Sequence, residues 1–196
     1  MKNKTITTSI KQRCAWVPQD NLLYQEYHDK EWGVPVYEDR KHFEFLILEG
    51  AQAGLSWETI LKRRAEYAKA FDNFDWEKVA LYDEEKMEDL LNNPGIIRNR
   101  LKVQGAIVNA QCFIEVRKEF GSFNTYIWSF VNGKPIHHHY RSIKEIPTES
   151  DESRALSKDL RKRGFKFVGP TIMYAHMQAI GMVNDHTQDC FLYKPK

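Results

Sequence analysis

The sequence predicts an all-α protein, on three observations. Its apolar residues recur at helical spacing, Gly and Asn-Gly breaks fall between those segments, and no alternating apolar run exceeds a few residues. Residues 1–13, MKNKTITTSIKQR, are polar and read as a flexible leader, and 14–196 read as a single domain of two lobes. From Asp39 a helix begins in which Phe43, Leu46, Ile47, Gly50 and Ala51 trace one face while Phe45 and Leu48 fill the other, the pattern of a buried helix. Ser56 caps the next, where Trp57, Ile60, Leu61, Tyr67, Ala68 and Phe71 keep helical spacing and Glu58 suits the first turn. Asp75 and Asp83 cap two short helices, and Asn93-Pro94-Gly95 breaks the chain. A long helix over 97–120 stops at Gly121, and another over about 123–131 stops at Asn132-Gly133. Residues 133–150 read as loop. A polar helix over 151–163 ends at Gly164, and after the tight segment FKFVGP a last helix covers 171–179.

Composition excludes several classes. Hydrophobic residues make up 42% and charged residues 29% of the 196, a globular balance rather than a disordered one. Lys and Arg number 29 against 27 Asp and Glu, so any nucleic-acid role must rest on a local basic patch. No apolar run reaches the roughly 20 residues of a membrane span, and the polar start lacks a signal core, so a cytoplasmic protein is expected. Three scattered cysteines make no disulfide scaffold. The 11 Phe, 9 Tyr and 5 Trp must fill a core, a stacking pocket, or both.

Three constellations carry chemistry. Cys14 and His28 near the start, with His186 and Cys190 near the end, offer a Cys2His2 donor set. If they share one ion, protein fills all four tetrahedral positions, so the site is structural. Otherwise the cysteines are small apolar residues and the histidines lie at the surface. Glu49 lies in FEFLILEGAQAGLSW, a run otherwise almost free of charge, with Trp57 beyond two glycines and a serine and with Tyr24 and Tyr27 ahead of His28. That is either a core salt bridge beside a core Trp, or an aromatic pocket with one anion, suited to a flat cation. RKRGFKFVGPTIMYAHM joins a basic helix end to a new helix start, either an ordinary corner or a phosphate grip through backbone N–H groups, with Lys166 adding charge. Cys112 reads as core filler and His137-His138-His139 as a solvated loop.

The words RCAWVPQDNLLYQEYHDKEWGVP, LEGAQAGLSWETILKRR, NNPGIIRNRLKVQGAIVNA, WSFVNGKP and LSKDLRKRGFKFVGPTIMYAHMQAIGMVNDH run from Cys14 almost to Cys190. In that order they resemble the 3-methyladenine DNA glycosylase I family, within the helix-hairpin-helix glycosylase superfamily. The resemblance implies that fold, with one structural Zn2+ held by Cys14, His28, His186 and Cys190 and joining the two terminal segments. It implies a base pocket of Tyr24, Tyr27, Glu49 and Trp57, with Glu49 the catalytic candidate, and a DNA-binding hairpin at Gly164, Lys166 and Gly169. It further implies hydrolysis of the N-glycosidic bond of 3-methyladenine in alkylated double-stranded DNA by base flipping, leaving an abasic site. The family manages without the catalytic Asp of many relatives, so Asp185, beside His186, is expected to support the metal ligands. A monomer is expected. Two rival readings remain: a metal phosphohydrolase built on His28-Asp29, and a zinc-stabilised DNA-binding module without catalysis.

Overall fold

Most helix starts follow capping residues. The structure, a computed structural model, describes residues 11–195, so residues 1–10 of the expected leader lie outside it. In chain order the helices are α1 (Leu22–Lys30), α2 (Asp39–Gln52), α3 (Trp57–Leu61), α4 (Arg64–Ala70), α5 (Trp76–Val79), α6 (Glu84–Asn92), α7 (Arg100–Phe120), α8 (Phe123–Trp128), α9 (Asp151–Lys162) and α10 (Pro170–Ala179). Asn21, Ser56, Asp75, Asp83, Asn99, Ser122 and Ser150 each accept a first-turn N–H through a side-chain oxygen. The protein is mostly helical, as expected. Helix α2 is buried continuously from His42 to Ala51 and packs against α3, α7, α8 and α10.

The departures from expectation have physical causes. Only Tyr27 and His28 are buried in α1, so it has no apolar stripe and the Asn21 cap is its only mark in the sequence. The segment after Ser56 is two helices, broken at Lys62 and Arg63. The break coincides with an inward ion network: Arg64 meets Glu44 at 2.6 Å and Glu31 at 2.8 Å. Helix α7 starts at Arg100, because Asn99 caps it. Residues 133–150 are not all loop: β1 (Ile136–His137) pairs in parallel with β2 (Val183–Asn184), a ladder too short for alternation to register. The histidine triple is not simply solvated either. His138 donates from Nδ1 to Asp185 Oδ1 at 2.6 Å, and His139 Nδ1 meets the Tyr193 hydroxyl at 2.7 Å.

The chain after α1 crosses the end of α10 and so brings the two terminal regions together. Gly33 N–H donates to Gln178 O at 2.9 Å and Val36 N–H to Ile180 O at 3.0 Å. At the crossing Gly181 has φ +68°, and a Cβ there would lie 2.3 Å from the Val34 carbonyl carbon. Backbone cannot yield as a side chain can. Gly181→Ala is therefore expected to cost about 2–5 kcal/mol, combining left-handed strain with overpacking. The check is a lowered urea midpoint; an unchanged midpoint would mean that the crossing gives way. No helix among the described residues is long and apolar enough to cross a membrane.

Candidate active site and metal cluster

The crossing sets Cys14, His28, His186 and Cys190 side by side, all buried, with ligand atoms within 4.8 Å of one another. His186 Nδ1 lies 3.5 Å from both sulfurs, and His28 Nε2 lies 3.5 Å from Cys190 Sγ. Tetrahedral zinc with ordinary Zn–S and Zn–N bonds would set sulfur and nitrogen about 3.5 Å apart, so the donor set fits that ion. The Cys14 hydrogen bond holds Cys190 far below the usual thiol range, and the same contact, with burial, pushes Cys14 up. The other ring nitrogens are engaged: His28 Nδ1 with Asp29 Oδ1 at 2.8 Å, and His186 Nε2 with the Trp32 carbonyl at 3.2 Å. Arg13 grips Asp29 through two 2.8 Å bonds. Asp29 is thus committed to His28 and Arg13, which gives the phosphohydrolase reading no open oxygen ligand.

Asp185 corrects the expectation placed on it. Among the described residues its carboxylate meets no side chain of the cluster. It accepts from His138, from the Tyr174 hydroxyl at 2.7 Å and from Gln178 Nε2 at 2.8 Å. Asp29 is the carboxylate that orients a cluster histidine.

Beside the cluster lies an open cavity of about 310 Å³, lined by Trp16, Tyr24, Tyr27, Trp32, Glu49 and Trp57 among others. All four sequence-expected pocket residues therefore meet in one place. Glu49 sits in the last turn of α2, against the negative end of the helix dipole. Its carboxylate has no ion pair among the described residues, and its buried Oε2 has no hydrogen-bond partner. The contrast with Glu44 on the same helix is sharp, since Arg64 and Lys41 hold Glu44 at 2.6 and 2.8 Å. Burial alone pushes the Glu49 carboxyl up to about 8. The phenol of Tyr27 is pushed up by burial first and by the nearby Glu49 charge second. Trp57 presents an unpartnered Nε1 and packs on Tyr27, with ring centroids 5.4 Å apart. The core salt-bridge reading of Glu49 fails on this geometry. What remains is an aromatic-walled pocket with one carboxyl.

Between α9 and α10 the chain makes a tight turn, with Gly164 at φ +97° and Gly169 as the N-cap residue of α10. Lys166 is exposed and, like Arg161 and Lys162, has no ion pair among the described residues, whereas Arg163 is bound by Glu119 and Asp159. The N–H groups of Gly169, Thr171 and Ile172 find no acceptor among the described residues. Gly164, Lys166 and Gly169 thus share one corner of the molecule.

A family model described as methyladenine glycosylase matches residues 16–193. The chain belongs to the methyladenine glycosylase family. DNA-3-methyladenine glycosylase 1 of Escherichia coli (strain K12) is 50% identical over 182 residues, which cover 93% of this chain and 97% of that protein. A crystal structure of 3-methyladenine DNA glycosylase I matches with a TM-score of 0.91 at 50% identity, over 93% of this chain and 100% of the other. A Tyr-to-Phe variant of 3-methyladenine DNA glycosylase I, in complex with 3-methyladenine, matches with a TM-score of 0.89 at 38% identity, over 94% of this chain and 98% of the other. This methyladenine glycosylase is accordingly a hydrolase.

Sequence reasoning overlooked Trp16 and Trp32. Both line the cavity and both pack on His28, Trp16 edge-on at 5.2 Å and Trp32 stacked at 6.2 Å. Their one signal is position, since each closely follows a metal-ligand candidate. Gln178 and Ile146, also in the wall, carry no signal of their own.

Proposed function

We propose that the chain hydrolyses the N-glycosidic bond of 3-methyladenine in alkylated double-stranded DNA, flipping the damaged nucleotide out of the stack and leaving an abasic site. One observation carries the reading: an unpaired, buried carboxyl at Glu49 in an aromatic cavity. Methylation at N3 gives the purine a positive charge, so the base leaves neutral and needs little acid catalysis. A damaged base also unstacks at lower cost. Trp57 stacks on the cationic ring, Tyr24 and Tyr27 close its other side or edge, and Glu49 accepts from the adenine edge. As the C1′–N9 bond breaks, its electron pair goes to the purine. Water adds to C1′ and releases a proton, while Glu49 stabilises the positive charge on the sugar.

The α9–α10 corner is read as a helix-hairpin-helix grip. Gly164 and Gly169 shape it, Lys166 adds charge, and the free N–H groups face a phosphate. Cys14, His28, His186 and Cys190 are assigned one structural Zn2+, whose contribution is to tie the terminal segments together. Residues 14–196 are taken as one domain of two lobes around the pocket, working as a monomer in the cytoplasm.

The deciding assay is base release from methylated duplex DNA with chromatography of the freed bases. The expected result is 3-methyladenine, with 7-methylguanine left in place. No release from a folded, zinc-loaded sample would overturn the proposal in favour of DNA binding alone.

A further inference from the structure

We infer that Asn109, on the inner face of α7, is a positioning residue that holds the α9–α10 turn in register with the base pocket. The inference rests on the function proposed above. Asn109 is buried, yet its amide serves the turn rather than the core. Its Oδ1 accepts the Lys166 N–H at 2.7 Å, and its Nδ2 donates to the Lys166 carbonyl at 3.0 Å. Both backbone groups of the exposed Lys166 are thereby fixed by one side chain.

The next residue shows what that fixing supports. Phe167 has φ +55°, a conformation that a bulky side chain avoids unless its surroundings impose it. Its ring lies against Gly105 of α7, where a Cβ would sit 2.9 Å from Cδ2 and Cε2. Its own Cβ faces Gly50, the residue after Glu49, where an added Cβ would lie 3.4 Å away. Phe167 is therefore wedged between the helix that carries Glu49 and the helix that carries Asn109.

Lys102 completes the contact from the same side of α7. Its Nζ donates to the carbonyls of Ala51 at 2.8 Å and Ala53 at 2.7 Å, at the C-terminal end of α2. Lys102, Gly105 and Asn109 stand at i, i+3 and i+7, so they share one face. That single stripe touches the pocket-bearing helix at one end and the turn at the other. It sets the distance between the phosphate grip and Glu49, which a flipped nucleotide must span. Without Asn109, Lys166 loses both backbone partners and Phe167 can leave its left-handed conformation. The aromatic pocket, built on α1, α2 and α3, keeps its own contacts.

Asn109→Ala tests this, with Gly105→Ala, which pushes on Phe167 from the same face, as the second variant should the first not fold. Three readouts are needed: release of 3-methyladenine from methylated duplex, duplex affinity against salt, and affinity for free 3-methyladenine by tryptophan fluorescence. Expected is an about 10- to 100-fold fall in kcat/KM, mostly in KM, and a salt slope shallower by about one, with free-base affinity within about twofold of the parent. Loss of free-base affinity in step with excision would make Asn109 mere core support and overturn the inference. So would unchanged duplex affinity in both variants. If the parent releases no base, the proposed activity fails by itself, and duplex affinity with its salt slope still decides the role of Asn109.

Discussion

Cys190→Ser is expected to destabilise the protein by about 3–5 kcal/mol and to abolish stoichiometric zinc binding. One ion held by the cluster would join residue 14 to residue 190 and so close a loop of nearly the whole chain. By analogy with a disulfide, closing a loop that long is worth roughly 5 kcal/mol of unfolded-state entropy. Loss of the thiolate also leaves three buried donors converging on an incomplete site. The effect should reach the pocket, because Trp16 and Trp32 pack on His28 and line the cavity. Free-base affinity should therefore fall along with the thermal midpoint. The measurement is denaturant unfolding paired with metal analysis of the purified variant. Unchanged stability with unchanged metal content would show that the four residues only pack together, the plain alternative that the sequence left open.

The outline of the fold was legible wherever one residue suffices to mark a boundary. Ser56, Asp75 and Asp83 accept first-turn N–H groups as their type predicts, and Gly121 and Gly164 end helices at positive φ. The buried α2 was legible because apolar residues surround it on every side. Helix α1 was not, since exposed Leu22 and Leu23 stand where a stripe would have faced the core. The β1–β2 pairing depends on two segments far apart in sequence, so no local pattern announces it. The site shows the same division. Glu49 was legible as a lone charge in an apolar run. Whether it was paired was not, because that depends on where Arg64 and Lys102 go. Arg64 goes to Glu44 and Glu31, and Lys102 to the carbonyls at the end of α2. The expectation for Asp185 failed for a related reason: adjacency to a cluster histidine in sequence says nothing of which way a carboxylate turns.

Glu49→Gln is expected to lower kcat/KM for 3-methyladenine release by about 10²–10³-fold, the loss that follows removal of one partner of a desolvated charge pair. A dependence on pH separates this from simple damage. In the free protein burial raises the carboxyl to about 8, so at neutral pH it is mostly protonated. A cationic base placed against it favours the ionised form and draws the proton off. The parent's kcat/KM, which reports the free enzyme, should therefore rise with pH through about 8, while kcat, which reports the complex, stays flat over the same range. Glu49→Gln should flatten the kcat/KM profile. Stability should move in the opposite direction. A carboxyl raised on folding contributes fully below its unfolded value of 4.5 and loses that contribution as pH climbs through about 8. At pH 9 the variant should thus be more stable than the parent, by roughly 3–5 kcal/mol at most. A group kept for folding would show the reverse, a less stable variant at every pH. Higher alkaline stability together with lost excision is the pair of results that only a functional carboxyl yields. A variant that excised normally with the parent's pH profile would remove Glu49 from the reaction.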